Sequence, residues 1–248
     1  MKNAIFLSLA ILVAVLAPAA AQAQKVNPRQ ARAAFEKADH SLNEAWAAAK
    51  ATLGEGEFNE LKEDQKAWVE YRDYLARSPM YTGAESQDEL SPDSPDYLTA
   101  AAPLTDERTA WLRGLVREWG ADEALTGVWA DSYGGSIEIV EKDGKLHFIV
   151  QCVRGPTSHT GGLAGSAVWN STIGWFSDKG REEGKEEETN IAFVLDGRRL
   201  NLHGAGTSYY HGARAYFNGE YVKVSGLGSK KQAQVLQAAK TGELPEEP

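Results

Sequence analysis

The sequence predicts an α+β fold: an N-terminal three-helix antiparallel domain followed by an antiparallel β-barrel or sandwich of about seven to eight strands. Three observations predict it. Of the 24 glycines only five precede Ala124, so helix formers give way to turn formers near residues 121–126. Around the same point the apolar spacing changes from steps of three and four to alternation. Asp-Gly, a strong two-residue hairpin signal, then stands twice between alternating apolar runs, at Asp143-Gly144 and Asp196-Gly197. A length of 248 residues with 42% hydrophobic and 25% charged content gives enough apolar material for two modest cores. The expected organisation is a signal peptide over 1–23, a helical domain over 24–122, a β domain over 123–226, and a short helix with a frayed tail over 227–248.

The first residues read as a secretory signal. Lys2 supplies the positive start, Ile5 to Leu16 the apolar stretch, and Ala21-Gln22-Ala23 a small-residue cleavage site before Gln24. That apolar run is shorter than the roughly 20 residues needed to span hydrocarbon, and no later stretch offers them. The expectation is a periplasmic or secreted protein, cut between Ala23 and Gln24, without a membrane span. Cleavage removes Lys2 and no acid, so the formal charge goes from -9 to -10. An acidic chain of this kind argues against nucleic acid and anionic lipid as partners, and suits a cationic partner or simple solubility. Cys152 is the only cysteine, so no intramolecular disulfide can form and stability must come from packing.

The helical elements follow in order. Asn27-Pro28 reads as cap and first helical residue, with Phe35, Ala38, Leu42, Ala45, Ala49 and Leu53 at helical spacing and Gly54 and Gly56 as the stop. A second stripe runs Phe58, Leu61, Gln65, Trp68, Arg72, Leu75, and the two helices are expected to form an antiparallel hairpin. Ser78 to Pro95 shows no periodicity and reads as a loop. Thr105 is expected to cap a third helix with Asp106 and Glu107 in its first turn and Trp111, Leu112, Leu115 and Trp119 on its apolar face.

From Gly127 the chain reads as strands. Ile137 and Ile139 lead through Asp143-Gly144 to Leu146, Phe148, Val150 and Cys152, and Ile191, Phe193 and Leu195 lead through Asp196-Gly197 to Leu200 and Leu202. Further strands are expected near 163–169, 173–176 and 213–224. The charged run at 181–188 reads as a solvated loop. Ser229 and Gln232 read as the capping box of a tail helix ending near Lys240.

Little in the sequence points to catalysis. His40, His147, His159, His203 and His211 stand at no metal-site spacing, so no metal or other cofactor is expected, and His147 and His203 fall on the outward parity of their strands. Cys152 shares the inward parity, where a thiolate is disfavoured. No nucleophile elbow, phosphate-binding glycine loop or dinucleotide fingerprint occurs. The unusual feature is polar: Gln65 and Arg72 lie on the apolar stripe of the second helix, flanking Trp68. A guanidinium placed there needs partners, for which Asn43, Glu44 and Asp73 are candidates.

Leu42-Asn43, then Leu61, Gln65, Trp68 and Tyr71-Arg72-Asp73, form a pattern that resembles the N-terminal domain of the LprI-type lysozyme inhibitor family, over about residues 27–120. The cysteines that members commonly carry beside these helices are missing here. The resemblance implies an exported, non-enzymatic protein that binds lysozyme. Gly127-Val128-Trp129 and Phe217-Asn218-Gly219-Glu220-Tyr221 likewise resemble the opening and closing of the β module that accompanies such domains. Ala205-Gly206-Thr207-Ser208-Tyr209 is also similar to the S-G-x-x-Y cleft-inserting loop of MliC-type barrel inhibitors, with Ala205 in place of the serine. The segment Gly206, Thr207, Ser208, Tyr209 and Tyr210 is accordingly the candidate partner-binding loop. The function expected is occlusion of a basic lysozyme or another cationic envelope protein. The rivals are a small-molecule or glycan binder holding its ligand inside the barrel, and an envelope hydrolase, for which no acid, base or nucleophile set stands out.

Overall fold

The computed structural model describes residues 27–118, 120, 124–156, 159–179 and 188–245. The signal-peptide segment with its cleavage site, Trp119, most of the charged 181–188 run and residues 246–248 lie outside the described residues.

Helix α1 spans Pro28–Thr52 and starts as expected: the Asn27 side chain accepts from Arg29 N at 3.0 Å, and Pro28 takes the first turn. Its buried face is Ala31, Ala38, Leu42, Ala45 and Ala49. Helix α2 spans Glu55–Arg77 with Gly54 in extended backbone as its N-cap, so only Leu53 and Gly54 separate the helices and Gly56 is already helical. The expected loop contains a short helix, α3 (Pro79–Thr82), closed by Gly83 at φ 72°.

Helix α4 spans Pro95–Val116 and begins well before Thr105. Its start signal is Ser94-Pro95-Asp96: Ser94 Oγ accepts from Tyr97 N at 3.3 Å, proline occupies the first turn, and Asp96 complements the helix dipole. Thr105 is buried mid-helix, where its hydroxyl is satisfied by donating to Ala101 O at 2.8 Å, and Pro103 is accommodated inside the same helix. The helical hairpin forms as expected, with Trp46 of α1 5.1 Å from Phe58 of α2 and Phe35 of α1 5.6 Å from the Arg72 guanidinium. Both α1 and α2 pack chiefly on α4, which is the central helix of the unit, and the α1–α4 contact is the larger. Ala31 packs in one cluster with Ala101 of α4, and Ala45 and Ala49 in another with Leu112 and Leu115, and such small side chains permit close approach of helix axes.

The second half closes into an eight-stranded barrel rather than a sandwich: β1 (Gly127–Ala130), β2 (Gly135–Lys142), β3 (Lys145–Val153), β4 (Thr160–Trp169), β5 (Ile173–Ser177), β6 (Asn190–Asp196), β7 (Arg199–Ala205) and β8 (Gly219–Ser225). All neighbours are antiparallel, and β8 pairs back onto β1. Asp143 and Gly144 have φ of 52° and 69°, the double left-handed turn that matches the strand twist. The second hairpin turns one residue later than expected. Asp196 pairs with Arg199 in the ladder, which leaves Gly197-Arg198 as the turn. The last strand begins only at Gly219, because 206–218 cross one end of the barrel as irregular backbone and a 3-10 turn.

Inward residues fill the barrel. Trp129, Ile137, Ile139, Leu146, Phe148, Ile191, Phe193, Leu200, Leu202, Phe217 and Tyr221 are all fully buried in one cluster. Phe148 packs edge-on to Phe176 at 5.3 Å, and a side chain at Gly165 would overlap that ring. The apolar alternation thus produces a packed core. Helix α5 (Ser229–Thr241) lies on the outside, where Val235 and Ala238 cover Val140, Ile149 and Ala164. Its N-cap is Gly228, and the expected capping box does not form: Gln232 Nε2 reaches past Ser229 to Leu227 O at 2.7 Å. Among the described residues no helix is long and apolar enough to cross a membrane.

Cys152 faces the barrel interior at 2% exposure, and burial pushes its thiol above the usual range. The native protein should therefore react with an aromatic disulfide reagent only after denaturant is added. Rapid stoichiometric labelling in buffer would contradict this placement.

Candidate functional site

The polar residues on the α2 stripe are organised around Trp68, itself 2% exposed. On one side Arg72 donates through Nε and Nη2 to Asp73 Oδ1 at 3.2 and 3.0 Å, with its guanidinium 5.4 Å from the Trp68 ring and 5.6 Å from Phe35. Tyr97 of α4 donates to the same carboxylate oxygen at 2.6 Å, and burial together with that bond pushes its hydroxyl up to about 12. Asp73 is therefore the partner of Arg72. Asn43 and Glu44 are not: Asn43 donates to Asp39 and Glu44 pairs with His40, both on the exposed face of α1.

On the other side of Trp68 stands a guanidinium that the sequence reading did not single out. Arg108 of α4 has no exposed surface. Its Nη2 meets Asp64 Oδ2 at 2.5 Å, its Nε donates to Gln65 Oε1 at 2.8 Å, and its Nη1 reaches Ser132 Oγ at 3.4 Å. Its plane lies 4.3 Å from the Trp111 ring and 5.5 Å from Trp68. Desolvation lowers its pKa, and the adjacent Asp64 carboxylate opposes that shift. Gln65, a signature position, thus orients Arg108. The signal was present, since Arg108, Leu112 and Leu115 recur at steps of four and three beside Trp111, the same rule that marks Arg72.

This cluster continues into the barrel. Tyr133, in the β1–β2 turn, donates its hydroxyl to Asp64 Oδ1 at 2.9 Å, and Tyr71 of α2 donates to Tyr133 O at 3.1 Å. Burial pushes the Tyr71 hydroxyl up to about 12. Beneath the turn, Arg154 and Asp131 form a pair at 2.6 Å with side-chain exposures of 5% and 7%. Asp131 Oδ1 accepts from Tyr133 N and Gly135 N at 2.8 Å each, while Arg154 donates to Tyr133 O at 2.8 Å and to Tyr216 O at 3.2 Å. Burial opposes the charge on Arg154, but Asp131 outweighs it and holds the guanidinium above its ordinary range. Neither residue carried a sequence signal, for each is a lone polar residue at a strand end.

The structure separates the two groups of candidate residues. Leu42, Leu61 and Trp68 are core, Gln65, Arg72 and Asp73 hold the polar contacts around Trp68, Tyr71 faces the barrel, and Asn43 is exposed. The 206–210 segment lies at the barrel end that also carries Arg154. It is a 3-10 turn over Thr207–Tyr210, with Gly206 at φ 63° accepting from Thr189 Oγ1 at 2.5 Å. Tyr210 donates to Asp178 Oδ2 at 2.8 Å and packs on the barrel core, Thr207 Oγ1 lies 3.0 Å from His211 Nε2, and Ser208 is exposed. Tyr209 is 52% exposed with its ring 5.1 Å from Tyr210. His147 and His203 point outward as expected, and no group of three His, Cys, Asp or Glu able to hold a metal occurs among the described residues.

Residues 17–112 match the family described as lysozyme inhibitor LprI. The LprI match takes in α1, α2, α3 and most of α4, and so covers the whole Trp68 cluster including Arg108, while the barrel lies beyond it. No curated protein and no solved structure matches the chain.

Truncating Arg108 to alanine leaves Asp64 and Gln65 facing a void, and should lower the stability of the full chain by about 3 kcal/mol or more. Arg72→Ala, whose partner is partly solvated, should cost about 1 kcal/mol. Urea midpoints of the two variants test the ranking, and an unchanged midpoint for Arg108→Ala would contradict the role given to it. An unchanged midpoint for Arg72→Ala with loss of partner binding would make Arg72 a contact residue instead.

Proposed function

We propose that this protein is a lysozyme-inhibitor-like binding protein of the cell envelope that occludes a cationic partner and catalyses no reaction. The observation that carries the reading is the LprI match over 17–112, and the acidic balance of the chain supports it. On this reading residues 1–23 are an export signal cut after Ala23, with a helical domain over 24–122, a β domain over 123–226 and a tail over 227–248. A charge of -10 would steer the mature chain onto a basic lysozyme.

Apart from the exposed Asn43, the signature residues make packing and polar contacts inside the fold, so we read them as holding the unit together and assign the contact surface elsewhere. The exposed Tyr209 ring, at an end of the barrel, is the element of the 206–210 loop best placed to enter a cleft. A ligand held inside the barrel is disfavoured, because the interior is occupied by its own aromatic and aliphatic side chains.

Adding the purified mature chain to lysozyme acting on bacterial cell walls should slow lysis, and the effect should weaken as salt screens the encounter. Tyr209→Ala should cost about 2 kcal/mol of binding if the loop inserts. Full inhibition by that variant would remove the loop from the mechanism. No inhibition at low salt by the wild-type chain, across chicken-type, goose-type and invertebrate-type lysozymes, would overturn the reading.

A further inference from the structure

Helix α4 lies across the outer face of the barrel, and its C-terminal part touches β8. A side chain at Gly114 would overlap Lys223 O and the Val222 side chain. Nearer its start the helix stands off. Between Leu104, Glu107 and Ala110 of α4 and the outward-facing Val128 of β1 and Val224 of β8 lies a cleft of about 420 Å³, a volume usual for small-molecule sites. Val128 and Val224 occupy strand positions where a barrel ordinarily presents polar groups to water, and here they are only half-buried. The walls are thus apolar and incompletely covered by the chain itself.

One charge faces this apolar space. Glu107 is exposed at the mouth, where a ligand can reach it, and it makes no ion pair among the described residues. Partial burial of its carboxyl, together with the negative charge of Asp131, pushes it above the usual carboxylate range. The buried guanidiniums at the junction of helices and barrel do not compensate it, because Arg108 is committed to Asp64 and Arg154 to Asp131. Tyr81 of α3 shares the mouth: its hydroxyl is pushed up by burial and by Glu107. Tyr71 adds a second ring to the lining.

This combination narrows the ligand class. An anion would meet Glu107 and Asp131 with the wrong sign, and a wholly apolar molecule would strip water from Glu107 without answering its charge. A hydrated metal ion would make no use of the valine and leucine walls. An ammonium group is attracted both by a carboxylate and by tyrosine ring faces, and an alkyl body attached to it gains by leaving water.

We propose that the cleft between α4 and the outer face of β1 and β8 binds a small organic cation, with its ammonium group at Glu107 beside the Tyr81 ring and its apolar body against Leu104, Val128 and Val224. The site shares no residue with the 206–210 loop and does not depend on lysozyme binding.

Hexylammonium, hexanol and hexanoate share an alkyl body and differ in charge, so titrating each into the purified chain while following the methyl resonances of Val128 and Val224 tests this directly. Hexylammonium should shift those resonances saturably and bind about tenfold more tightly than hexanol, the gain expected for a hydrogen bond to a charged group, with hexanoate weakest. Glu107→Gln, at an exposed helical position, should leave thermal unfolding unchanged and bring hexylammonium down to the affinity of hexanol. Ala110→Leu, which fills the cleft from the helical wall, should abolish binding of both. If that variant fails to fold, Glu107→Gln alone decides. No saturable shift of the two valines, hexanol or hexanoate binding as tightly as hexylammonium, or wild-type affinity for hexylammonium in Glu107→Gln would each overturn the proposal.

Discussion

A guanidinium with no exposed surface has to be answered in full by what surrounds it, and Arg108 is answered from three directions. Asp64 supplies the countercharge, Gln65 a neutral acceptor, and Trp68 and Trp111 the flanking rings. Meeting those demands fixes the rotation of α2 against α4, since the acceptors at 64 and 65 and the ring at 68 must all face one side chain. The same demand extends to Ser132, which ties the turn at the barrel end to the helices. Removing the charge from this point would release several elements together.

The barrel end has its own version of the device. Asp131 and Arg154 bind one another, and their remaining hydrogen-bonding capacity is spent on backbone groups of the β1–β2 turn and of the 206–218 crossing. Gly135 is required beside them, because a side chain there would overlap the Asp131 carboxylate. Tyr133 joins the two polar centres, offering its hydroxyl to Asp64 and its carbonyl to Arg154 and Tyr71. The helical unit and the barrel are consequently held by a directional network as well as by the apolar seam of Leu112, Leu115 and Val222.

Local features of this architecture were legible in the sequence, and features depending on distant partners were not. The Asn27-Pro28 start, the strand parity of Leu146 to Cys152 and the Asp143-Gly144 turn are each written within a few residues. Closure of β8 onto β1 is not, because it joins segments roughly a hundred residues apart whose edges look like any other strand edges. The start of α4 was obscured by Pro103 and Thr105, which imitate a helix beginning although the helix passes through both. In the Trp68 cluster, Arg72 stood out as a charge on an apolar stripe and its neighbour Asp73 could be named. Asn43 and Glu44 could not be excluded, because the helical period does not reveal which face α1 turns toward α2. Asp131 and Arg154 lie on different strands and acquire meaning only when the barrel brings them together.

The closure of the barrel has a consequence for how any partner is met. An open sheet exposes a row of unpaired N–H and C=O groups that can be extended by a strand from another chain, and here the first and last strands pair with each other, so neither is a free edge. Strand addition at β1 or β8, a common route to affinity through backbone alone, is therefore closed. Recognition there must be written in side chains and turns, so it can be altered residue by residue without disturbing the ladder beneath.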